Sequence, residues 1–222
     1  MSLANVTAIV FDFDNVIALG KDGTGSEEIK DAAWPEVFGA DWERVRNEFP
    51  VFLKKWSGGK GSRFAIARDA LLHVGFSGDT EKEVRRLCED FNQRVQEGIL
   101  KLGVLPETLE FLEALSKHFP LFINSATPAQ AMEETLEKLG IKNLFTEVYG
   151  QEGGKEESIR RAMRAVGETD PERIVFVGDS GTDFEAAKKV GCRFIGVATK
   201  RNMWEETPQS FPLVTAISEI QL

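Results

Sequence analysis

The stretch Ala8-Ile9-Val10-Phe11-Asp12-Phe13-Asp14-Asn15-Val16 decides the fold. Val6 to Phe11 reads as a buried strand, and it ends in two carboxylates separated by one phenylalanine. The C-terminal half repeats the pattern of an apolar run followed by an amphipathic stretch. Leu121-Phe122-Ile123 precedes a helix in which Thr127 caps, Pro128 takes the first turn, Met132, Leu136 and Leu139 form one face, and Gly140 ends it. Phe145 to Tyr149 reads as a strand, and Ile159, Ala162, Met163 and Val166 mark the next helix face. Arg173 to Val177, then a helix on Phe184, Ala187 and Val190, then Phe194 to Val197 complete the series before a less regular tail. Strands alternating with single helices imply right-handed crossovers and a parallel sheet with helices on both faces.

The alternation is interrupted after the first strand. From Val16 to about Lys101 no strand is legible, and helix signals cover Glu27 to Phe38, Asp41 to Trp56, Ser62 to Val74 and Thr80 to Val95. In the last, Thr80 and Glu83 suit a capping box, and Val84, Leu87, Phe91 and Val95 recur at helical spacing. Gly98 to Pro106 reads as the return hinge. The expected fold class is therefore α/β, with residues 1–15 and 102–222 forming a Rossmann-like core. Residues 16–101 form an inserted all-helical domain. Trp34, Trp42, Trp56 and the phenylalanines of this block are expected to form its own core.

The sequence has 222 residues, 42% of them hydrophobic and 28% charged, as an ordinary globular protein does. A net charge of −9 argues against nucleic acid and anionic membranes as partners, since binding to either begins with basic patches. No apolar stretch approaches the ~20 residues needed to span a bilayer. The N-terminus lacks the basic start and apolar centre of a secretion signal, and Cys88 and Cys192 lie too far apart, and too isolated from histidine, for a disulfide framework or a zinc site. A cytoplasmic protein with free thiols is expected, as a monomer or homodimer.

Open parallel sheets bind ligands beyond the carboxyl ends of their strands. Four strands end there in polar residues: Asp12, Asp14 and Asn15; Asn124, Ser125 and Ala126; Gly153, Gly154 and Lys155; Gly178, Asp179 and Asp183. One aspartate after a strand is ordinarily a cap or turn former. Four in one cleft repel one another unless a divalent cation and Lys155 neutralise them. Oxygen donors suit Mg²⁺, which shares phosphate ligands with protein, and a phosphoryl group needs the lysine, hydroxyl and backbone N–H groups that Lys155, Ser125 and the Asn15 turn offer.

With these residues the chain resembles the haloacid dehalogenase superfamily of phosphohydrolases, in the branch whose helical cap follows the first strand. Asp12-Phe13-Asp14-Asn15-Val16 matches its DxDx(T/V) motif, Ser125 its second-strand hydroxyl, Lys155 its lysine, and Gly178-Asp179 with Asp183 its acidic motif. The resemblance implies that Asp12 is a nucleophile forming an aspartyl-phosphate and Asp14 a general acid/base. It implies Mg²⁺ among Asp12, the Asp14 carbonyl, Asp179 and Asp183, with Ser125 and Lys155 on the phosphoryl oxygens. Asn15 and Ala126 would join them in binding substrate. Aligning the family's Thr-Asn-Lys-Pro on Pro128 places the hydroxyl at Ser125 and leaves Asn124 behind it. Asn15 stands where glycine is usual, tolerable because asparagine accepts left-handed backbone, and Glu156 stands where proline is frequent.

The expected function is hydrolysis of a small phosphomonoester, in the manner of a phosphoglycolate phosphatase. Dehalogenases of the superfamily lack the second aspartate, so Asp14 points to phosphorus chemistry. A sugar phosphomutase and a silent binding protein on the same fold are the alternatives. Gly178 favours phosphatases over mutases, which tend to carry an acidic residue there. A signalling receiver domain carries its acceptor on a later strand and has no helical insertion. Gly58-Gly59-Lys60-Gly61-Ser62 fails as a P-loop, because Lys54 stands at the first glycine position and Gly61 at the Ser/Thr position. It reads instead as a cap loop through which Lys60 and Arg63 meet a distal group of the substrate beside Trp56, or as a glycine turn capped by Ser62. His73 and His118, near helix ends, read as surface residues.

Overall fold

The computed structural model describes residues 3–56 and 63–221. Its sheet contains β1 (Ala8–Phe11), β2 (Leu121–Asn124), β3 (Glu147–Tyr149), β4 (Ile174–Gly178), β5 (Arg193–Val197) and β6 (Leu213–Val214). The spatial order is β3-β2-β1-β4-β5-β6, and every pairing is parallel. The chain winds outward from β1 through β2 to β3, returns to β4 on the other side of β1, and continues to β6. The winding therefore reverses between β1 and β4, which is where a parallel sheet opens a crevice at its carboxyl edge.

All four residues of β1 are buried, as a strand flanked on both sides and covered on both faces requires. Ala8 and Val10 join Phe122, Tyr149, Phe176 and Phe194 in a core closed by Ile159 and Ala162 of α8 and by Ala186, Ala187 and Val190 of α9. Here α6 is Pro106–Ser116, α7 Ala129–Lys138, α8 Gly154–Ala165 and α9 Gly181–Val190, numbered after five earlier helices. Phe111, Leu112 and Leu115 are the buried apolar positions of α6, the spacing of one helix face. β6, in the tail that lacked a legible pattern, has only half-buried residues and joins the sheet by register with Gly196 and Val197.

The chain divides into two compact units, Met1–Gly25 with Leu102–Leu222, and Ser26–Lys101. Residues 16–25, expected in the helical block, cluster with the sheet because Val16, Ile17 and Ala18 are buried there. Bridges Asp14–Ala18 and Leu19–Gly25 fold the segment back on itself.

The helical unit contains α1 (Ser26–Phe38), α2 (Trp42–Val45), α3 (Phe49–Trp56), α4 (Arg63–His73) and α5 (Thr80–Leu102). Trp34, Phe38, Trp42, Phe49 and Phe91 form its aromatic centre, with Trp34 and Phe91 ring centroids 4.2 Å apart. Trp56 is different: its Nε1–H donates to Asp69 Oδ2 at 2.8 Å. The expected helix from Asp41 to Trp56 is two, because Pro50 lacks an N–H and starts a new helix. α5 begins one residue after the group that caps it: Asp79 Oδ1 accepts the Lys82 N–H at 3.1 Å. It also runs through Gly98, so the return hinge lies at Gly103, whose φ is 70°. Gly98 serves packing, since a Cβ there would lie 2.5 Å from Ile29 Cγ2.

Cys88 is buried and Cys192 half-buried, both free, and burial pushes their thiols up to about 11 and about 12. Neither is a ready thiolate at neutral pH. Among the described residues no helix is long and apolar enough to cross a membrane.

Candidate active site

Asp12 follows β1 directly, and its N–H still donates to Val177 O of β4 at 2.8 Å, so the sheet's hydrogen bonding sets its position. Its Oδ1 accepts the Phe13 N–H at 2.8 Å. Its Oδ2 accepts from Lys155 Nζ at 2.9 Å. Lys155, in the first turn of α8, donates also to Asp183 Oδ1. Asp183 is wholly buried in the first turn of α9, where its Oδ2 accepts the Ser180 N–H at 3.0 Å while Ser180 Oγ accepts the Asp183 N–H at 3.3 Å. It is thus both a helix cap and a partner of the lysine, one oxygen for each. The close approach needs Gly178: a Cβ there would lie 2.6 Å from Asp183 Cβ and Cγ.

Carboxylate oxygens of Asp12, Asp179 and Asp183 lie within 4.8 Å of one another. Asp14 is buried beside them, in a turn where Asn15 takes the left-handed conformation with φ 55°. Asn15 Nδ2 donates to Asp179 Oδ2 at 3.1 Å, so the side chain serves the acidic cluster. On the β2 side, Ser125 is buried; its Oγ accepts the Thr127 N–H at 3.1 Å, which leaves its own proton to donate. Thr127 does not cap α7: Pro128 is the N-cap. Ala126 is exposed at the β2 tip. Asn124 Nδ2 donates to Lys155 O at 3.1 Å, tying the β2 tip to the first turn of α8.

Burial pushes the Asp12 carboxyl well above the usual range; the Lys155 ammonium opposes this, and Asp183, Asp14 and Asp179 add to it. Burial likewise pushes Asp179 up to about 7, against the Asn15 hydrogen bond and with the Asp183 charge. Burial alone would lower Lys155, but the Asp12 and Asp183 carboxylates outweigh it and hold the ammonium above its ordinary value. Among the described residues, the Lys155 ammonium bonds Asp12 and Asp183, and Asp179 and Asp14 add further negative charge beside them. Buried hard oxygen donors with excess negative charge are what a divalent cation of the Mg²⁺ type takes, so the residues present fit such an ion.

Lys60, with the rest of 57–62, lies outside the described residues. Arg63 belongs to the helical unit, where it donates to Asn92 and its guanidinium carbon lies 5.7 Å from the Phe91 ring centroid. One residue near the cluster had no signal in the sequence. Asn202, in the loop after β5, donates from Nδ2 to Asp179 O and Val197 O, each at 2.8 Å.

The class that this sheet and acidic crevice define is that of the haloacid dehalogenase-like hydrolases, whose sequence profile matches residues 66–197. The chain belongs to that family and is a hydrolase with the family's Rossmann-like core and helical cap. The matched stretch starts beyond Asp12 and Asp14. The protein named phosphoglycolate phosphatase from Vibrio vulnificus strain YJ016 is 27% identical over 163 residues, 71% of each chain. Among solved structures, a putative beta-phosphoglucomutase from Thermotoga maritima superimposes with TM-score 0.69 at 19% identity over 94% of each chain. A 2-haloacid dehalogenase from Pseudomonas syringae pv. Tomato gives 0.66 at 19% identity over 96% of each. These three carry names of different reactions on one fold, so the chemistry must be argued from the site.

Proposed function

We propose that this hydrolase is a Mg²⁺-dependent phosphatase of small phosphomonoesters that works through an aspartyl-phosphate on Asp12. The observation that supports the reading best is the Lys155 ammonium bonded to both Asp12 and Asp183 beside Asp179 and Asp14. Asp12, Asp179, Asp183 and the main chain of Asp14 would hold the ion, which when bound neutralises charge on the carboxylates and on a phosphoryl group.

Asp12 attacks phosphorus with a carboxylate oxygen, and the phosphorus–ester oxygen bond breaks. Asp14 gives its proton to the departing alkoxide, which leaves as the alcohol. Asp14, now ionised, takes a proton from water as that water attacks the phosphorus of the acyl phosphate. Inorganic phosphate leaves, and Asp12 and protonated Asp14 are restored. Lys155 and the Ser125 hydroxyl hold the phosphoryl oxygens through both displacements, and the α8 and α9 N-termini favour an anion between them. Lys60 and Arg63 of the cap are proposed to meet the part of the substrate distal to phosphorus, with Ala126 and the Asn15 main chain lining the phosphoryl side.

Phosphoglycolate is the first ester to assay, since the Vibrio relative carries that name. The test is phosphate release from p-nitrophenyl phosphate with Mg²⁺ and with excess EDTA, followed by phosphoglycolate, hexose phosphates and nucleoside monophosphates. Metal-dependent release supports the reading. Interconversion of hexose phosphates without net release would replace it with the mutase.

A further inference from the structure

We propose that Asn15 and Asn202 are positioning residues for Asp179, the first fixing a side-chain oxygen and the second the main chain, so that the other carboxylate oxygen is preset for a divalent cation. This rests on the reading that Asp12, Asp179 and Asp183 hold a cation.

Asp179 has like charges on Asp12 and Asp183 within 4.8 Å, so without a restraint its carboxylate would turn away from them. A lysine or arginine could restrain it only by adding positive charge, which would compete with the cation. An amide N–H restrains it without that charge. Asn15 supplies this donor across 164 residues of sequence and is only 1% exposed. Two features of the chain serve that contact. Asn15 sits at φ 55°, a conformation asparagine tolerates better than most residues. Gly25 leaves room for its amide, since a Cβ at residue 25 would lie 2.0 Å from Asn15 Oδ1.

The second restraint comes from the opposite flank of β4. Asn202 Nδ2 donates to Asp179 O and to Val197 O, while its Oδ1 accepts the Thr199 and Trp204 N–H groups at 3.0 and 3.1 Å. Both donors and both lone pairs of one amide are used. The side chain therefore joins the tip of β4 to the loop after β5 in a geometry that leaves the Asp179 backbone little freedom. An aspartate at 202 would face two carbonyl oxygens with a carboxylate, and an alanine would leave four polar groups without this partner.

The test is calorimetric titration of the substrate-free 222-residue protein with Mg²⁺, beside melting temperatures in EDTA. Asn15→Gly keeps the positive φ and removes the donor. The Mg²⁺ Kd is expected to rise about tenfold, equivalent to about 1.4 kcal/mol. Gly25→Ala leaves Asn15 in the sequence but displaces its amide, and Asn202→Ala frees the Asp179 main chain; both should weaken Mg²⁺ in the same direction. A merely structural role would lower the melting temperature in EDTA and leave the Kd unchanged. Wild-type affinity in the folded variants would overturn the positioning role while leaving the cation reading intact. No Mg²⁺ binding by the wild type would overturn the cation reading, and this proposal with it.

Discussion

Lys155 Nζ lies 2.9 Å from Asp12 Oδ2, across 143 residues of sequence, and the same ammonium reaches Asp183. The lysine is carried by the first turn of α8, the two carboxylates by the end of β1 and the start of α9. Only a parallel sheet that reverses its winding between β1 and β4 brings those three positions together.

Lys155→Met tests this pairing. It leaves buried carboxylates without their cation, a loss of about 3 kcal/mol near neutral pH. Burial holds Asp12 and Asp179 above the usual carboxylate range, so acid neutralises them early and the penalty shrinks as pH falls. Urea unfolding of wild type and variant in EDTA at pH 7.5 and pH 5.5 measures it. An equal difference at both values would mean that Lys155 acts by packing alone.

Asp12→Asn keeps the shape and removes the proposed nucleophile. Turnover is expected to fall at least about 10³-fold, with no acid-stable phosphoryl label on the protein when its reaction with a phosphoryl-labelled substrate is quenched in acid. Asp14→Asn should slow both displacements and, with a leaving group that needs no proton, let the phosphoenzyme accumulate. Turnover by Asp12→Asn in a metal-replete assay would remove Asp12 from the nucleophile's role.

Asp179 sets a pH dependence whose sign is opposite to that of a salt-bridged aspartate. Its folded value of about 7 exceeds the ordinary aspartate value of 3.8, so between these the folded chain binds the extra proton. In EDTA the group therefore costs stability as pH rises through that window, at up to about 1.4 kcal/mol per pH unit, and the cost levels off above pH 7. A cation bound at Asp179 would compete with that proton. The rise in melting temperature on adding Mg²⁺ should accordingly be larger at pH 8 than at pH 6, and Asp179→Asn should shrink the difference to the part set by the raised Asp12 carboxyl.

Gly178→Ala would place a methyl group 2.6 Å from the Asp183 side chain. The expected result is a loss of about 1–3 kcal/mol from overpacking. Displacement of Asp183 from Lys155 should bring a larger loss of turnover than of substrate affinity. Wild-type kinetics in this variant would show that the Lys155–Asp183 contact is dispensable.

What was legible in the chain follows from physics that acts locally. A buried parallel strand must be apolar and its carboxyl end polar, so Val6–Phe11 ahead of Asp12 and Arg173–Val177 ahead of Asp179 mark their own strands and name the residues at the crevice. Helical spacing likewise marked Val84 to Val95, though Asp79 rather than Thr80 caps that helix. Gly98 misled because a glycine in a helix reads as a break, whereas here it makes room for Ile29.

The sequence by itself determined the α/β alternation, the helical insertion and the set of acidic strand ends, because periodicity and residue chemistry are properties of neighbouring residues. Only the tertiary structure decided that residues 16–25 belong to the sheet unit, that Asp183 gives its second oxygen to Lys155, and that Asn15 and Asn202 grip Asp179 from either side. Those choices are made by burial and by hydrogen bonds between residues distant in the chain. They exist only once β1 lies between β2 and β4 and their carboxyl ends share one crevice.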